Sequence, residues 1–246
     1  MKSLSGKEFM RKTWYESIEQ SDQQKGLPQP SLELPVETDS AAIALPDPHG
    51  FTPFNDSLTH VISQRTSVRS YTDDPLSLDE LSYLLWMSQG VKKVMAGKAS
   101  FRTVPSAGAR HAFETYLLVN TVTTLNPGLY RYCAFKHMLY QLAAPDSISA
   151  DITAACWNQD FVAKSAVTFI WSAVPYRMTW RYSDRGYRYL HLDAGHVCQN
   201  LYLAAESINC GVCAIAAFHD QTMNALLHLD GDTQFVIYCA AAGRKH

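Results

Sequence analysis

The chain of 246 residues carries 21 basic and 23 acidic side chains, for a net charge of -2, and 47% of its residues are hydrophobic. That apolar content excludes disorder as the main state, and the near-neutral balance argues against nucleic acid or another polyanion as the principal partner. No stretch approaches the roughly 20 uninterrupted apolar residues a bilayer demands, and the start, with Lys2, Lys7, Glu8, Arg11 and Lys12, holds no apolar run for a secretory signal, so a soluble cytoplasmic protein with no membrane partner is expected.

Along the chain, Phe9, Trp14, Tyr15 and Ile18 among charged residues predict a short helix within residues 1–20. Six of the eleven prolines then fall between residues 28 and 53, which favours extended backbone and forbids a regular helix. Leu32, Leu34, Val36, Ile43 and Leu45 alternate with polar residues there, so this arm is expected to lie on the main body. The expected organisation is a helix and proline-rich arm over residues 1–55 and a main domain over 56–246.

In that domain, Leu58, Val61 and Ile62 predict a helix ending near Arg65. Ser77 and Glu80 form a capping box ahead of a helix with Leu81, Leu84 and Leu85 on its apolar face. Residues 114–120, 128–135 and 138–142 read as strands, the last two as a tight hairpin, and 151–157 as a helix. The apolar run 166–174 suits a strand buried on both faces. Between residues 188 and 209, Leu190, Ala194, Val197, Leu201 and Ile208 recur at helical spacing, predicting a long packed helix closed by Gly211 as its C-terminal glycine. A strand at 212–216, a helix at 221–229 and a strand at 234–241 complete an α+β pattern without a regular βα repeat.

The six cysteines sit in apolar contexts and read as small buried hydrophobes. Cys210 and Cys213 make a lone CxxC with no second ligand pair, so no metal site is expected. The twelve glycines never come closer than seven residues, which excludes a dinucleotide fingerprint, a Walker A loop and a nucleophile elbow. Any phosphate must be held by charged side chains.

Three constellations could carry chemistry. In Arg65-Thr66-Ser67-Val68-Arg69, the residues at 65, 67 and 69 share one side of an extended segment and suit a phosphate, although a solvated polar edge has the same pattern. In residues 105–111, Pro105, Ser106 and Ala107 would let backbone approach a flat ligand, with Arg110 and His111 at its polar edge, or form an ordinary loop. Asp193, His196 and Asn200 share a helix face, a spacing that a merely structural polar stripe has as well. A further segment, residues 176–189, interleaves four arginines with five aromatics. It could stack single-stranded nucleic acid, but a small-molecule pocket or a subunit contact fits the charge of the chain better.

Taken in order, RTSVRSY, PLSLDELSYLLWMSQGV, PSAGARHAFETYLLV, PGLYRY, LDAGHVCQNLYLAAE, CGVCAIAAF and the terminal AAGR resemble the nitroreductase-like FMN oxidoreductases, and most of all the stand-alone SagB-type dehydrogenases. The resemblance implies an α+β nitroreductase-like fold, a mostly antiparallel sheet flanked by helices, and a homodimer with FMN at its interface. It implies two-electron transfer from NAD(P)H or another donor to a small-molecule acceptor such as a nitroaromatic or a quinone. By position, Arg65, Thr66, Ser67 and Arg69 match the flavin-binding arginine-serine motif, and Pro105, Ser106 and Ala107 the loop that meets the partner's flavin. Ala216 and Ala217 match the pair near flavin N5, Arg244 a basic C-terminal position near the phosphate, and Gln159 a polar residue ahead of the buried strand. Many members place glycine or glutamate at the position of Ala216. Arg110, His111, Tyr176 and Arg177 are candidates for the substrate side, and no side chain is singled out as a catalytic acid or base. An azoline-to-azole peptide dehydrogenase and a flavin or small-ligand binder without turnover remain the alternatives; no peptide-docking domain is recognised.

Overall fold

The computed structural model describes residues 6–36, 38–55 and 57–246. Its elements in chain order are α1 (Gly6–Lys12), β1 (Ala42–Ala44), α2 (Leu58–Gln64), α3 (Leu78–Gln89), β2 (Val91–Met95), β3 (Ala99–Arg102), β4 (Phe113–Val119), β5 (Gly128–Cys133), β6 (Met138–Gln141), α4 (Ile148–Ala155), α5 (Phe161–Lys164), β7 (Val167–Ala173), α6 (Tyr176–Tyr182), α7 (Arg185–Ser207), β8 (Cys210–Ile215), α8 (Asp220–Leu226) and β9 (Phe235–Arg244). Residues 1–5 of the expected first helix lie outside the described residues.

Seven strands form one sheet in the order β1-β6-β5-β4-β7-β9-β8, every neighbouring pair antiparallel, while β2 and β3 form a separate ribbon. Side chains alternate across the central strands, so each face has its own core. Leu117, Val119, Phe169 and Trp171 pack with Leu81, Leu84 and Leu85 of α3 and Leu190, Val197 and Leu201 of α7. Tyr116, Leu118 and Ile170 pack on the other face with Ile148 and Ile152 of α4, Phe161 and Val162 of α5, and Met223 of α8. Strands β4 and β7 are buried along their whole length, as a continuous apolar run requires. This is the expected α+β fold.

The capping box is present: Ser77 Oγ accepts from the Glu80 amide at 3.1 Å, and Glu80 Oε2 accepts from the Ser77 amide at 2.8 Å. Gly211 does not close the long helix. That helix ends at Ser207, Asn209 takes the left-handed conformation (φ 56°), and Gly211 lies inside β8. A Cβ on Gly211 would come within 2.5 Å of Val68 Cβ, so the glycine is there for close approach. The ribbon β2–β3 and the edge strand β1 carry too few residues and too many lysines or prolines nearby to show a strand period.

The arginine-aromatic segment 176–189 forms α6 and the start of α7, and its partner is the N-terminal part of the same chain. Arg185 Nη1 donates to Thr13 O at 2.7 Å, Arg188 Nη2 to Met10 O at 2.8 Å, and Tyr176 Oη to Asp22 at 3.1 Å. Trp180 Nε1 donates to Leu27 O, and Arg177 Nε to Ser31 O at 2.7 Å. Further along, the Leu34 amide donates to Glu114 Oε1 and the Ala134 amide to Glu33 Oε1, both at 2.7 Å, before β1 pairs with β6.

Candidate functional site

Beyond α2 the segment 65–71 runs along the outer edge of β8. Ser67 makes a parallel bridge to Val212, the Val68 amide donates to Val212 O at 2.9 Å, and the Thr72 amide donates to Arg244 O at 3.1 Å. Two glycines allow this contact: Gly211 faces Val68, and Gly243, its ladder partner, faces the Tyr71 ring at 2.9 Å from an added Cβ. Tyr71 Oη then donates to Val68 O at 2.8 Å or to Ala241 O at 3.1 Å.

Tyr202 of α7 gathers one side of the segment. Its hydroxyl accepts from the Ala214 amide at 2.8 Å and shares a hydrogen bond with Ser67 Oγ at 3.0 Å, and the Arg65 guanidinium lies 5.4 Å from its ring centroid. Tyr202 stands inside LDAGHVCQNLYLAAE but carries no local mark of this role; only a buried tyrosine's need for a polar partner hints at it. The expected alignment of residues 65, 67 and 69 is only half realised. Arg69 lies instead beside the Cys213 thiol, which faces the opposite core; burial pushes that thiol up and Arg69 opposes the shift. The reason is that Arg65 is the C-cap of α2 and only one bridge pairs the segment, so regular strand alternation is not imposed.

Past the end of β8, Ala216 and Ala217 are exposed, and Gln159 Nε2 donates to Ala217 O at 3.2 Å and to Cys156 O at 2.8 Å. Arg65, Ser67, Gln159, Ala216 and Ala217 are thus assembled along one strand edge. Arg244 is not free at its end of that edge: Nη2 meets Glu80 Oε1 at 2.6 Å and Oε2 at 2.8 Å. By contrast, among the described residues neither Arg65 nor Arg69 has a carboxylate in ion-pair range. Arg65 and Ser67, gathered on one side at Tyr202, therefore suit an anionic phosphate, with Arg69 turned toward Cys213, whereas Arg244 is paired with Glu80.

The Pro105–Ser106–Ala107 loop lies at the other half of α7. The Ala107 amide donates to both oxygens of the buried Asp193 carboxylate at 3.3 Å, and Ser106 Oγ accepts from the His111 amide at 2.9 Å. Burial raises the Asp193 pKa, and Ser106 and Ala107 oppose it. From Asp193 to Tyr202 is nine residues, roughly 13 Å along the helix axis. Within one chain, loop and arginine segment are apart.

The four residues expected on the substrate side are engaged within the chain. Arg177 is 1% exposed, and all three of its nitrogens are engaged, by Ser31 O, His111 O and the Glu114 carboxylate. Glu114 also binds Arg131; burial alone would raise its pKa, but the two arginines outweigh burial and hold it below the ordinary value. Tyr176 serves Asp22 of the arm. Arg110 and His111 are buried, Arg110 donating to Lys98 O at 2.7 Å and stacking on Trp180, and burial together with Arg102 pushes His111 down to about 3. Local sequence cannot distinguish an arginine aimed at a ligand from one aimed at a buried glutamate 63 residues away.

Of the surface clefts, one of about 500 Å³ lies between residues 48–55, α2, α3 and α7, and one of about 710 Å³ between the β2–β3 ribbon and residues 103–111. Among the described residues no three His, Cys, Asp or Glu side chains cluster as metal ligands, and no helix is long and apolar enough to cross a membrane.

The sequence profile of the nitroreductase family matches residues 62–244. A protein of Methanocaldococcus jannaschii described as a nitroreductase is 33% identical over 207 residues, covering 84% of this chain and 98% of that protein. The trifolitoxin-processing protein TfxB of Rhizobium leguminosarum bv. trifolii is 27% identical over 166 residues, covering 63% of this chain and 44% of that one. Among solved structures, a protein of Ralstonia eutropha described as a nitroreductase superposes with a TM-score of 0.69 at 26% identity, covering 89% of this chain and 95% of the other. The fold is also shared, at 20% identity and a TM-score of 0.62, with a chain of the E. coli microcin synthetase McbBCD complex bound to truncated pro-MccB17, over 80% of this chain and 76% of that chain. A protein of Desulfovibrio desulfuricans described as a nitroreductase and solved in complex with FMN has a TM-score of 0.54 at 18% identity, over 77% of this chain and 87% of that one. With the profile spanning most of the domain and the sheet, helices and arginine-bearing edge in place, the chain belongs to the nitroreductase family of oxidoreductases.

Proposed function

We propose that this chain is an FMN-dependent oxidoreductase that carries two electrons from a reduced nicotinamide or another donor to a small organic acceptor such as a nitroaromatic or a quinone. The observation that carries this reading is the Arg65 guanidinium beside Ser67 at Tyr202 on the edge of β8, with no carboxylate in ion-pair range of Arg65 or of Arg69 among the described residues. Bound there, FMN would supply the hydride chemistry, which no side chain of this protein can perform.

The chain's own residues have binding and positioning roles. Arg65, Ser67 and Arg69 would hold the phosphate and ring edge, and Tyr202 fixes Ser67 and the Ala214 backbone in one arrangement. Gln159 holds the Ala216–Ala217 backbone, which would face the flavin ring. Arg244 orients the start of α3 through Glu80. Because the Pro105–Ala107 loop stands away from Arg65 in its own chain, it serves the site of a second copy. The unpartnered face of α7 supports that homodimer, with Leu192 55% exposed and open space at Gly195. The absorption spectrum of the protein as purified, and again after FMN and gel filtration, tests the reading: flavin bands must travel with a dimer.

The likeness to TfxB favours a second reading, an azoline-to-azole peptide dehydrogenase of the SagB type. Turnover of an azoline peptide with no activity on nitroaromatics or quinones would replace the first acceptor class with the second. Bound flavin that neither NADH nor NADPH reduces points to a binder without turnover.

A further inference from the structure

Helix α4 ends in an arrangement that its own residues do not explain. After Ala155 the chain passes through Trp157 (φ 59°) and Asn158 (φ 54°), two successive residues in the left-handed region. Asparagine enters that region readily and glycine is the usual choice at a helix end, whereas a bulky tryptophan there is strained. Backbone bonds hold the turn: the Trp157 amide donates to Ala154 O and the Asn158 amide to Thr153 O, both at 3.0 Å. Burial of the side chain does not offset the strain, because Trp157 is 61% exposed. Strain of this kind gathers at ligand-binding sites.

The indole is held against one neighbour. The His219 ring lies 3.9 Å from it, centroid to centroid, and 33° from parallel. His219 is itself exposed, and its amide donates to Ala155 O at 2.8 Å, which ties the start of α8 to the end of α4. With the imidazole on one face, the exposure of the indole is that of its other face and its edges.

This pair stands beside Ala216 and Ala217. Gln159, two residues after Trp157, donates from Nε2 to Ala217 O at 3.2 Å, and Ala217 is two residues before His219. Two small exposed residues and a backed indole thus share the surface past the end of β8. Helices α4 and α8, which carry the pair, pack on the sheet face opposite α7, so this is not the surface that α7 offers to a second copy.

We propose that Trp157, backed by His219, is the wall on which a planar, electron-poor aromatic acceptor stacks beside the flavin, and that it selects such rings over saturated ones. The electron-rich indole attracts a nitroaromatic or quinone ring in offset-stacked geometry, whereas a saturated ring offers only apolar area. The place of this contact in turnover rests on the flavin reading; the stacking itself needs no turnover.

Titration calorimetry of the oxidised protein with 4-nitrobenzyl alcohol, without an electron donor, tests the proposal, with cyclohexylmethanol as the saturated counterpart. Saturable binding of the nitroaromatic is expected, about tenfold tighter than that of cyclohexylmethanol, the order that one stacking partner contributes. Glycine suits the left-handed backbone, so Trp157→Gly should melt no lower than the wild type and yet bind the nitroaromatic about tenfold more weakly, with Trp157→Phe close to wild type. In turnover with NADH, Trp157→Gly should raise KM for the nitroaromatic more than it changes kcat. Absent or equal binding of the two alcohols, or wild-type affinity in Trp157→Gly, overturns the proposal. Loss of the dimer on gel filtration of Trp157→Gly overturns it too, by giving the tryptophan to a subunit contact. Flavin absorbance of the same samples separates the two readings. Flavin retained without Trp157-dependent binding removes only the wall, and Trp157-dependent binding without flavin removes only the flavin reading.

Discussion

Replacing Gly211 by alanine isolates the contact that docks the arginine segment on the sheet. The added methyl would sit 2.5 Å from Val68 Cβ, 2.6 Å from Cγ2 and 2.8 Å from Cγ1, all shorter than van der Waals contact. Gly211 has no left-handed φ, so strain of the backbone itself does not enter and the effect is purely one of space. Because β8 is held by β9 on its other side, relief must come from the 65–71 segment moving outward, which would break the Val68–Val212 bond and shift Ser67 from Tyr202. Overpacking of this kind costs about 1–3 kcal/mol. In a chain of this size each kcal/mol corresponds to about 2–4 °C, so a fall in Tm of about 2–12 °C is expected. Val68→Ala removes the atoms that clash, so the double variant should be more stable than Gly211→Ala alone, a favourable coupling in a double-mutant cycle. Flavin retention should fall in Gly211→Ala and return in the double variant. A Gly211→Ala protein that melts with the wild type, or one that Val68→Ala does not rescue, would refute the account of this edge.

Arg65→Gln removes a charged donor from the proposed phosphate site and should weaken FMN binding by about 1.5–3 kcal/mol, roughly ten- to a hundredfold, in a fluorescence titration. Glu114→Gln leaves Arg131 and Arg177 buried without their shared carboxylate, and urea unfolding should show a loss of about 3–5 kcal/mol with the m-value unchanged. Stability should also fall with acid through His111. Its folded pKa is about 3, well below the ordinary value near 6.5, so between those values the unfolded chain binds the extra proton. The contribution is complete above about pH 6.5 and disappears toward pH 3 at about 1.4 kcal/mol per unit, so His111→Asn should flatten the slope measured between pH 6 and 4 by nearly that amount. An unchanged slope in that variant would exclude the buried neutral imidazole.

How far the sequence could be followed depended on the range of the forces involved. Ser77 and Glu80 signal a helix start because both partners of the capping box lie within one turn. The hairpin of β5 and β6 and the apolar run of β7 are legible for the same reason, since strand period and burial are written in neighbouring residues. The order of the motifs identified the family. Gly211 was misread because a glycine after a long helix looks the same whether it ends the helix or faces Val68 across a strand edge.

Composition and local period therefore determined the fold class, most of the elements and the exclusion of a glycine-rich phosphate loop. The assignment of the arginines came only from tertiary structure. In the sequence Arg65, Arg110, Arg177 and Arg244 are equivalent donors. In the folded chain Arg177 is held by Glu114, Arg244 by Glu80, Arg110 is buried against Trp180, and Arg65 meets no carboxylate among the described residues. A guanidinium's role is set by which carboxylate folding brings within hydrogen-bond reach, and partners 63 and 164 residues away leave no mark in the local pattern.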